Sequence, residues 1–146
     1  MPGRPLKRIL LVEDDPDIQT ITSLALGTFG GYDVRVCGSA AEAIDGAAAF
    51  APDLLLLDVV MPGTHGFETL GALPQISQTA DTPVVFLTAR VQPSDVARYQ
   101  ELGSLGLIRK PFEPMALVET IGQIWSRYIA RPAQSRRRLQ ELQRAY

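Results

Sequence analysis

Short apolar runs, each ended by a polar residue or a turn, alternate with helix-like segments along most of this chain. The central runs contain no polar residue, so strands formed from them must be buried on both faces. Such strands belong to a parallel sheet with helices on each side and right-handed crossovers. The pattern predicts an α/β fold, a five-stranded parallel sheet in a doubly wound (βα)5 three-layer sandwich. The five predicted strands are Ile9–Val12, Tyr32–Cys37, Leu54–Leu57, Val84–Leu87 and Leu105–Arg109.

Capping residues mark where the helices begin. Asp15 is placed as an N-cap before Pro16, a residue tolerated in the first helical turn. Ser39 opens another helix with the spacing of a capping box to Glu42. The five predicted helices run from Pro16 to the Gly30-Gly31 pair, Ser39 to Phe50, Gly66 to Leu73, Pro93 to Leu102 and Pro114 to Tyr128.

The composition excludes several classes of site. One cysteine and one histidine in 146 residues leave no disulfide framework, no cysteine-rich zinc site and no multi-histidine metal centre. No apolar run approaches the roughly 18 residues of a membrane span, and the N-terminus lacks the apolar core of a secretory signal. We therefore expect a cytoplasmic globular protein without a membrane partner.

The formal net charge of −2 hides an uneven distribution. Residues 127–146 carry six arginines and one glutamate, whereas the preceding 126 residues are acidic. Pro132 should end the last helix near Arg131. Beyond it, a helical spacing of Leu139, Leu142 and Tyr146 favours a solvated, partly helical extension, with a docking or self-association helix as the alternative. Clustered arginine also suits nucleic acid, but no DNA-binding unit fits in this tail, so direct DNA binding is not expected.

Polar residues at four predicted strand ends form a candidate site. Because the strands are parallel, these ends meet at one edge of the sheet, where ligands bind in such folds. An oxygen-rich site of carboxylates suits Mg²⁺, and a carboxylate can act as a nucleophile toward phosphorus. No glycine-rich phosphate loop or dinucleotide fingerprint is present, which argues against ATP or a nicotinamide as the direct ligand. The converging residues are Glu13, Asp14, Asp58, Thr88 and Lys110.

Four segments together resemble the receiver domain of bacterial two-component response regulators, over about residues 7–129. They fall in the family's order and spacing, and they are Ile9-Leu-Leu-Val-Glu-Asp-Asp15, Leu54-Leu-Leu-Leu-Asp-Val-Val-Met-Pro-Gly63, Phe86-Leu-Thr-Ala-Arg90 and Lys110-Pro-Phe112. The resemblance implies a flavodoxin-like (CheY-like) fold. It also implies that Asp58 accepts a phosphoryl group from a phosphohistidine on a sensor histidine kinase or a phosphotransfer protein.

The resemblance further implies roles for individual residues. Thr88 and Lys110 would contact the phosphoryl group and couple it to the far face of the domain, and the Lys110–Pro111 peptide bond would be cis. The implied Mg²⁺ ligands are Asp14, Asp58, the backbone carbonyl of Val60 and, through a water molecule, Glu13.

One departure from the family pattern, and two positions beside the implied phosphoryl group, affect the behaviour that the resemblance implies. Leu107 stands where many receivers carry Tyr or Phe, so the usual aromatic readout is in question. Val60 and Arg90 stand beside the implied phosphoryl group, at positions that influence its hydrolysis in the family. Because Val60 cannot orient a water molecule, we predict slow loss of the phosphoryl group.

We interpret the chain as a single-domain response regulator of a phosphorelay and not as an enzyme. Residues 1–130 would form the receiver and residues 131–146 the basic tail, with no separate output domain. The resemblance implies that downstream contacts or self-association would use the face formed by the fourth predicted helix, the fifth strand and the fifth helix. Two alternatives remain: a receiver-like binding module that is never phosphorylated, and an aspartate-nucleophile phosphatase. The phosphatase would need an acid where Val60 stands.

Overall fold

Five parallel strands form one sheet in the computed structural model, which describes residues 4–58, 60–61, 64–65, 82–89 and 91–144. Its strand order is β2-β1-β3-β6-β7, which leaves β2 and β7 at the two ends. A short antiparallel hairpin, β4 with β5, follows β3 directly. The strands are β1 (Arg8–Val12), β2 (Asp33–Cys37), β3 (Leu54–Asp58), β4 (Val60–Met61), β5 (Thr64–His65), β6 (Val84–Thr88) and β7 (Gly106–Arg109).

Helices cover both faces of this sheet and make the fold a flavodoxin-like three-layer sandwich, as predicted. Four described helices lie between or after the strands, and a fifth forms the tail. The predicted helix Gly66–Leu73 lies outside the described residues. The helices are α1 (Pro16–Ser23), followed directly by a π-helical segment (Leu24–Phe29), then α2 (Ala40–Phe50), α3 (Pro93–Glu101), α4 (Pro114–Ala130) and α5 (Ala133–Arg144).

Alternate residues of each central strand enter two separate core layers. In β3, Leu55 and Leu57 pack with α2 and α3, while Leu54 and Leu56 pack with α4 and the π-helical segment. All four leucines are fully buried. Strands with two buried faces read as continuous apolar runs, which is why the sequence locates them closely. Each observed strand differs from its predicted bounds by one residue at one end: β1 starts one residue earlier, β2 and β7 start one residue later, and β3 and β6 end one residue later.

The predicted helix caps are present, with one difference. The Asp15 side chain accepts hydrogen bonds from the backbone N–H groups of Asp17 and Ile18. Ser39 accepts a hydrogen bond from the Glu42 N–H at 3.2 Å. The Glu42 carboxylate bonds the N–H of Gly38 at 2.7 Å, rather than that of Ser39. The reciprocal bond of a capping box is therefore shifted by one residue.

We had predicted one α-helix from Pro16 to the glycine pair, but the α-helix ends at Ser23. It widens into the π-helical segment after Ser23, and the Gly30 N–H bonds the Ala25 carbonyl five residues earlier at 2.9 Å. Gly31 then takes a left-handed conformation, with φ of 74°, which glycine adopts without strain. The glycine pair does end the helix, but through a wider last turn.

The basic tail forms a helix that begins directly after Pro132. Arg131 has an extended conformation, with ψ of 146°, and α5 starts at Ala133. Leu139 packs against the core layer that contains α4, so the tail is not simply a solvated extension. Among the described helices, none is long and apolar enough to cross a membrane.

Candidate functional site

Three carboxylates meet where β1 and β3 end. Glu13 and Asp14 follow β1 directly, and Asp58 is the last residue of β3. One oxygen from each side chain lies within 4.8 Å of the others. Glu13 is fully buried and Asp58 is 4 % exposed. Parallel pairing of β1 with β3 therefore brings together acids that are 44 residues apart in sequence.

Lys110 brings a positive charge to this cluster. Its Nζ atom lies 3.2 Å from Asp58 Oδ2 and donates a closer hydrogen bond to Glu13 Oε1. The side chain enters from the loop after β7, and its peptide bond with Pro111 is cis, as the resemblance implied. One ammonium group thus contacts two of the three acids.

The charged groups of the cluster perturb one another. Burial raises the pKa of the Glu13 carboxyl, and the hydrogen bond from Lys110 opposes this only in part. Desolvation and the adjacent Glu13 side chain raise the pKa of Asp14. Burial by itself would lower the pKa of Lys110, but its contacts with Glu13 and Asp58 outweigh burial and raise it. Ionising all three carboxyl groups beside a single ammonium group is thus unfavourable, and a bound cation would relieve this repulsion.

Thr88 ends β6 beside the lysine-bearing loop. It is 1 % exposed, and its carbonyl accepts a hydrogen bond from the Lys110 N–H at 2.9 Å. Asp58 pairs with Leu87 in the strand register. The ends of β3, β6 and β7 are therefore fixed to one another by main-chain bonds, and the side chains they carry belong to one edge of the sheet.

Main-chain and side-chain bonds fix Glu13 in ways that we did not predict. Its N–H bonds the Cys37 carbonyl at 2.9 Å, and its carboxylate accepts the Asp15 N–H at 3.1 Å. The Gln19 side chain donates to the Glu13 carbonyl. Gln19 lies one turn into α1, and no sequence pattern marks it. Only the approach of α1 to the end of β1 gives it this role.

The donor set fits a magnesium ion. Mg²⁺ prefers oxygen ligands and usually retains several waters, so it needs few carboxylates from the protein. Glu13, Asp14 and Asp58 supply three such groups, and one of them is only half-buried, which leaves a side open to water. The backbone of Val60 lies two residues beyond Asp58, in β4.

The side chain of Val60 and all of Arg90 lie outside the described residues. Leu107 is described: it is half-buried in β7 and packs against the core layer that contains Phe86 and Tyr99.

Comparison with known proteins decides the family. The family model for the response regulator receiver domain matches residues 9–122, which contain every strand of the sheet except the first residue of β1. The chain belongs to the response regulator receiver family. Receivers are signalling modules of two-component systems, and they interact with histidine kinases or phosphotransfer proteins.

Curated relatives of this receiver are longer proteins. The chain is 34% identical to the DNA-binding response regulator MtrA of Mycolicibacterium smegmatis over 115 residues, 79% of this chain and 49% of MtrA. It is 38% identical to the phosphate regulon transcriptional regulatory protein PhoB of Escherichia coli over 125 residues, 83% of this chain and 52% of PhoB. This receiver therefore spans about half the length of the curated relatives it matches.

A solved structure of similar size agrees with the fold. The chemotaxis protein CheY4 of Vibrio cholerae superposes with a TM-score of 0.74 and 30% identity, over 82% of this receiver and 99% of CheY4. The sheet and its helices are thus those of a CheY-like receiver.

Proposed function

We propose that this receiver is a phosphorylation-controlled switch in which Asp58 accepts a phosphoryl group from a phosphohistidine. The observation that carries the proposal is the buried cluster of Glu13, Asp14 and Asp58 with Lys110 bonded into it. Membership of the receiver family supports the same chemistry. The proposed donor is a sensor histidine kinase or a histidine phosphotransfer protein.

Asp58 is the proposed nucleophile because it ends a buried strand at the centre of the sheet and keeps a carboxylate oxygen beside Lys110. One Asp58 oxygen bonds to phosphorus while the phosphorus–nitrogen bond of the donor breaks, and that electron pair leaves with the imidazole. With acetyl phosphate as donor, the phosphorus–oxygen bond breaks and acetate leaves.

Mg²⁺ is the proposed cofactor. When bound, it would offset the negative charge of the phosphoryl oxygens, which is the main requirement of phosphoryl transfer. Asp14 and Asp58 would hold it directly, Glu13 through a water molecule, and Val60 through its backbone carbonyl.

Lys110 and Thr88 are the proposed phosphoryl contacts. Lys110 Nζ already lies 3.2 Å from Asp58 Oδ2, within reach of a phosphoryl oxygen bonded to that side chain. Thr88 is buried at the end of the adjacent strand, and its hydroxyl can donate one hydrogen bond. Both groups already lie at strand ends on the same edge of the sheet as Asp58, so they can offset the negative charge that develops on the phosphoryl oxygens during transfer.

Intact mass spectrometry after incubation with Mg²⁺ and acetyl phosphate tests the proposal. We expect an adduct of about 80 Da, the mass of one phosphoryl group on a carboxylate. Chelation of Mg²⁺ should abolish it, and so should Asp58→Asn.

Asp45→Asn is the matched control, because it removes an exposed carboxylate from α2. It should form the adduct as the unmodified chain does. An adduct that persists in Asp58→Asn would show that another residue is modified. Absence of any adduct in the unmodified chain would contradict the proposal.

A further inference from the structure

The tail helix α5 returns to the body of the receiver. Its Leu139 lines a cavity of about 330 Å³ together with Val96 and Tyr99 of α3 and with Leu107 of β7. Leu139 also packs against the core layer that contains α4. The tail therefore borders the α3–β7–α4 face, by which we mean the surface around Val96, Leu105 and Leu107. This is the face that we expected to contact a downstream protein or a second copy.

A specific turn directs α5 toward this face. Arg131 is extended, so α4 stops there and α5 restarts after Pro132. The Arg136 guanidinium donates hydrogen bonds of 3.0 Å to the carbonyls of Ile129 and Arg131. These carbonyls at the end of α4 would otherwise lack helical partners. One arginine thus both caps α4 and fixes the first turn of α5.

The attachment of α5 is small. Its sequence is strongly polar, with Arg137 and Arg138 exposed to solvent. Among its described side chains, Leu139 is the one that packs against the core layers. Loss of this contact would uncover the face without opening the receiver core, because Tyr99 and Leu102 remain packed between α3 and the sheet.

β7 connects the covered face to the acidic cluster. Leu107 pairs with Phe86 in the register, and Lys110 follows the strand and bonds both Glu13 and Asp58. The Lys110 N–H is bonded to the Thr88 carbonyl. A new charge on Asp58 would change the partners of Lys110 at one end of a four-residue strand whose other end lines the same cavity as Leu139 of α5.

We propose that α5 is an intramolecular cover of the α3–β7–α4 face that is released when Asp58 is phosphorylated. Its trigger rests on the function proposed above. In the unphosphorylated chain, Leu139 occupies the face and excludes other molecules from it. A phosphoryl group at Asp58 draws Lys110 to new oxygen partners and shifts β7 beneath Leu139, and α5 leaves.

Amide hydrogen exchange followed by mass spectrometry tests this on the full chain. Peptides from residues 105–109 and 133–144 are compared before and after treatment with Mg²⁺ and acetyl phosphate, and intact mass is measured on the same samples. We expect several-fold faster exchange in both segments once the adduct has formed. Asp58→Asn should show neither the adduct nor the change in exchange.

Two variants of α5 test whether Leu139 holds the tail helix on the receiver, independently of phosphorylation. Leu139→Ser removes the apolar contact, so its tail should exchange rapidly before any treatment, and acetyl phosphate should add little. Glu141→Ser alters an exposed residue of the same helix, and it should behave as the unmodified chain.

The outcomes distinguish this inference from the proposed function. An adduct with unchanged exchange in residues 133–144 would overturn the release of α5 and leave phosphorylation of Asp58 standing. Equal exchange in Leu139→Ser, Glu141→Ser and the unmodified chain would overturn the docking contact. Absence of the adduct would contradict the proposed function and the trigger together.

Discussion

At the scale of single residues, Lys110 does most to make the acidic cluster possible. Glu13 and Asp58 are both buried, and burial of two carboxylates without a cation is unfavourable. The ammonium contacts both. Sequence position alone places Lys110 at a strand end. Its pairing with Glu13 could not be predicted, because it depends on where the loops after β1 and β7 meet.

Val60 gives a prediction at the same scale, on the lifetime of the proposed aspartyl phosphate. Val60→Asn introduces a polar amide two residues beyond Asp58, at a position that influences hydrolysis of the phosphoryl group in the family. We expect loss of the adduct about ten times faster than in the unmodified chain, since a positioned polar group commonly contributes such factors or more. Intact mass after removal of acetyl phosphate gives the rate.

Val60→Ala is the matched control, because it removes the valine methyl groups but adds no polar group. Its rate of loss should stay close to that of the unmodified chain. Equal rates for Val60→Asn and Val60→Ala would show that another group governs hydrolysis.

Leu107 shows what an aliphatic residue does at a position where many receivers carry an aromatic one. It lines two cavities of about 330 Å³ each, one toward α4 and one toward α3 and α5. A leucine fills less space than a tyrosine or phenylalanine, so volume remains on both sides of β7. The sequence showed the substitution, but not the space beside it or the tail helix that borders it.

At the scale of elements, the π-helical segment is the least expected feature. Apolar residues at helical spacing predicted one continuous α-helix. A π-helical turn holds one residue more than an α-helical turn, which hardly changes the spacing of the apolar residues. The hairpin of β4 and β5 was missed for a related reason, because two-residue strands have no pattern of their own. The long apolar strands, by contrast, were located to within one residue at each end, because a strand buried on both faces accepts almost only apolar residues.

The end of the π-helical segment supports a stability prediction. A Cβ atom at Gly30 would lie 2.6 Å from the Leu26 carbonyl oxygen and 2.9 Å from the Tyr32 ring. Because the first of these is backbone, the helix end must move. We expect Gly30→Ala to lower the free energy of unfolding by about 1–3 kcal/mol, as measured by urea denaturation.

Gly27→Ala is the control within the same segment. Its Cβ would meet only the Tyr32 carbonyl oxygen, at 3.8 Å, which is ordinary contact. Alanine also restricts the unfolded chain more than glycine, so this variant should be neutral or up to about 1 kcal/mol more stable. Equal destabilisation by both variants would argue against the close approach at Gly30.

At the scale of the whole molecule, the proposed Mg²⁺ site would link ion binding to folding. An ion that binds only the folded chain adds about 2.7 kcal/mol to the free energy of unfolding at roughly 100 times its dissociation constant. We therefore expect the midpoint of urea unfolding to rise with Mg²⁺ and to return on chelation. Asp14→Asn should reduce this increase strongly.

Asp33→Asn serves as its control, since Asp33 is an exposed acid on β2. It should keep the full increase. A similar increase in Asp14→Asn and in the unmodified chain would place the stabilising ion elsewhere.

The strand order has a further consequence for how this receiver avoids aggregation. A sheet with open ends offers unsatisfied main-chain groups to other chains, and proteins guard such edges with charges or with a covering element. On β2, Asp33 and Arg35 are exposed charged residues at one end of the sheet. At the other end, α5 lies beside β7. Release of α5 would therefore expose the edge of β7 to pairing with other chains. Prolonged phosphorylation should then lower the solubility of the protein.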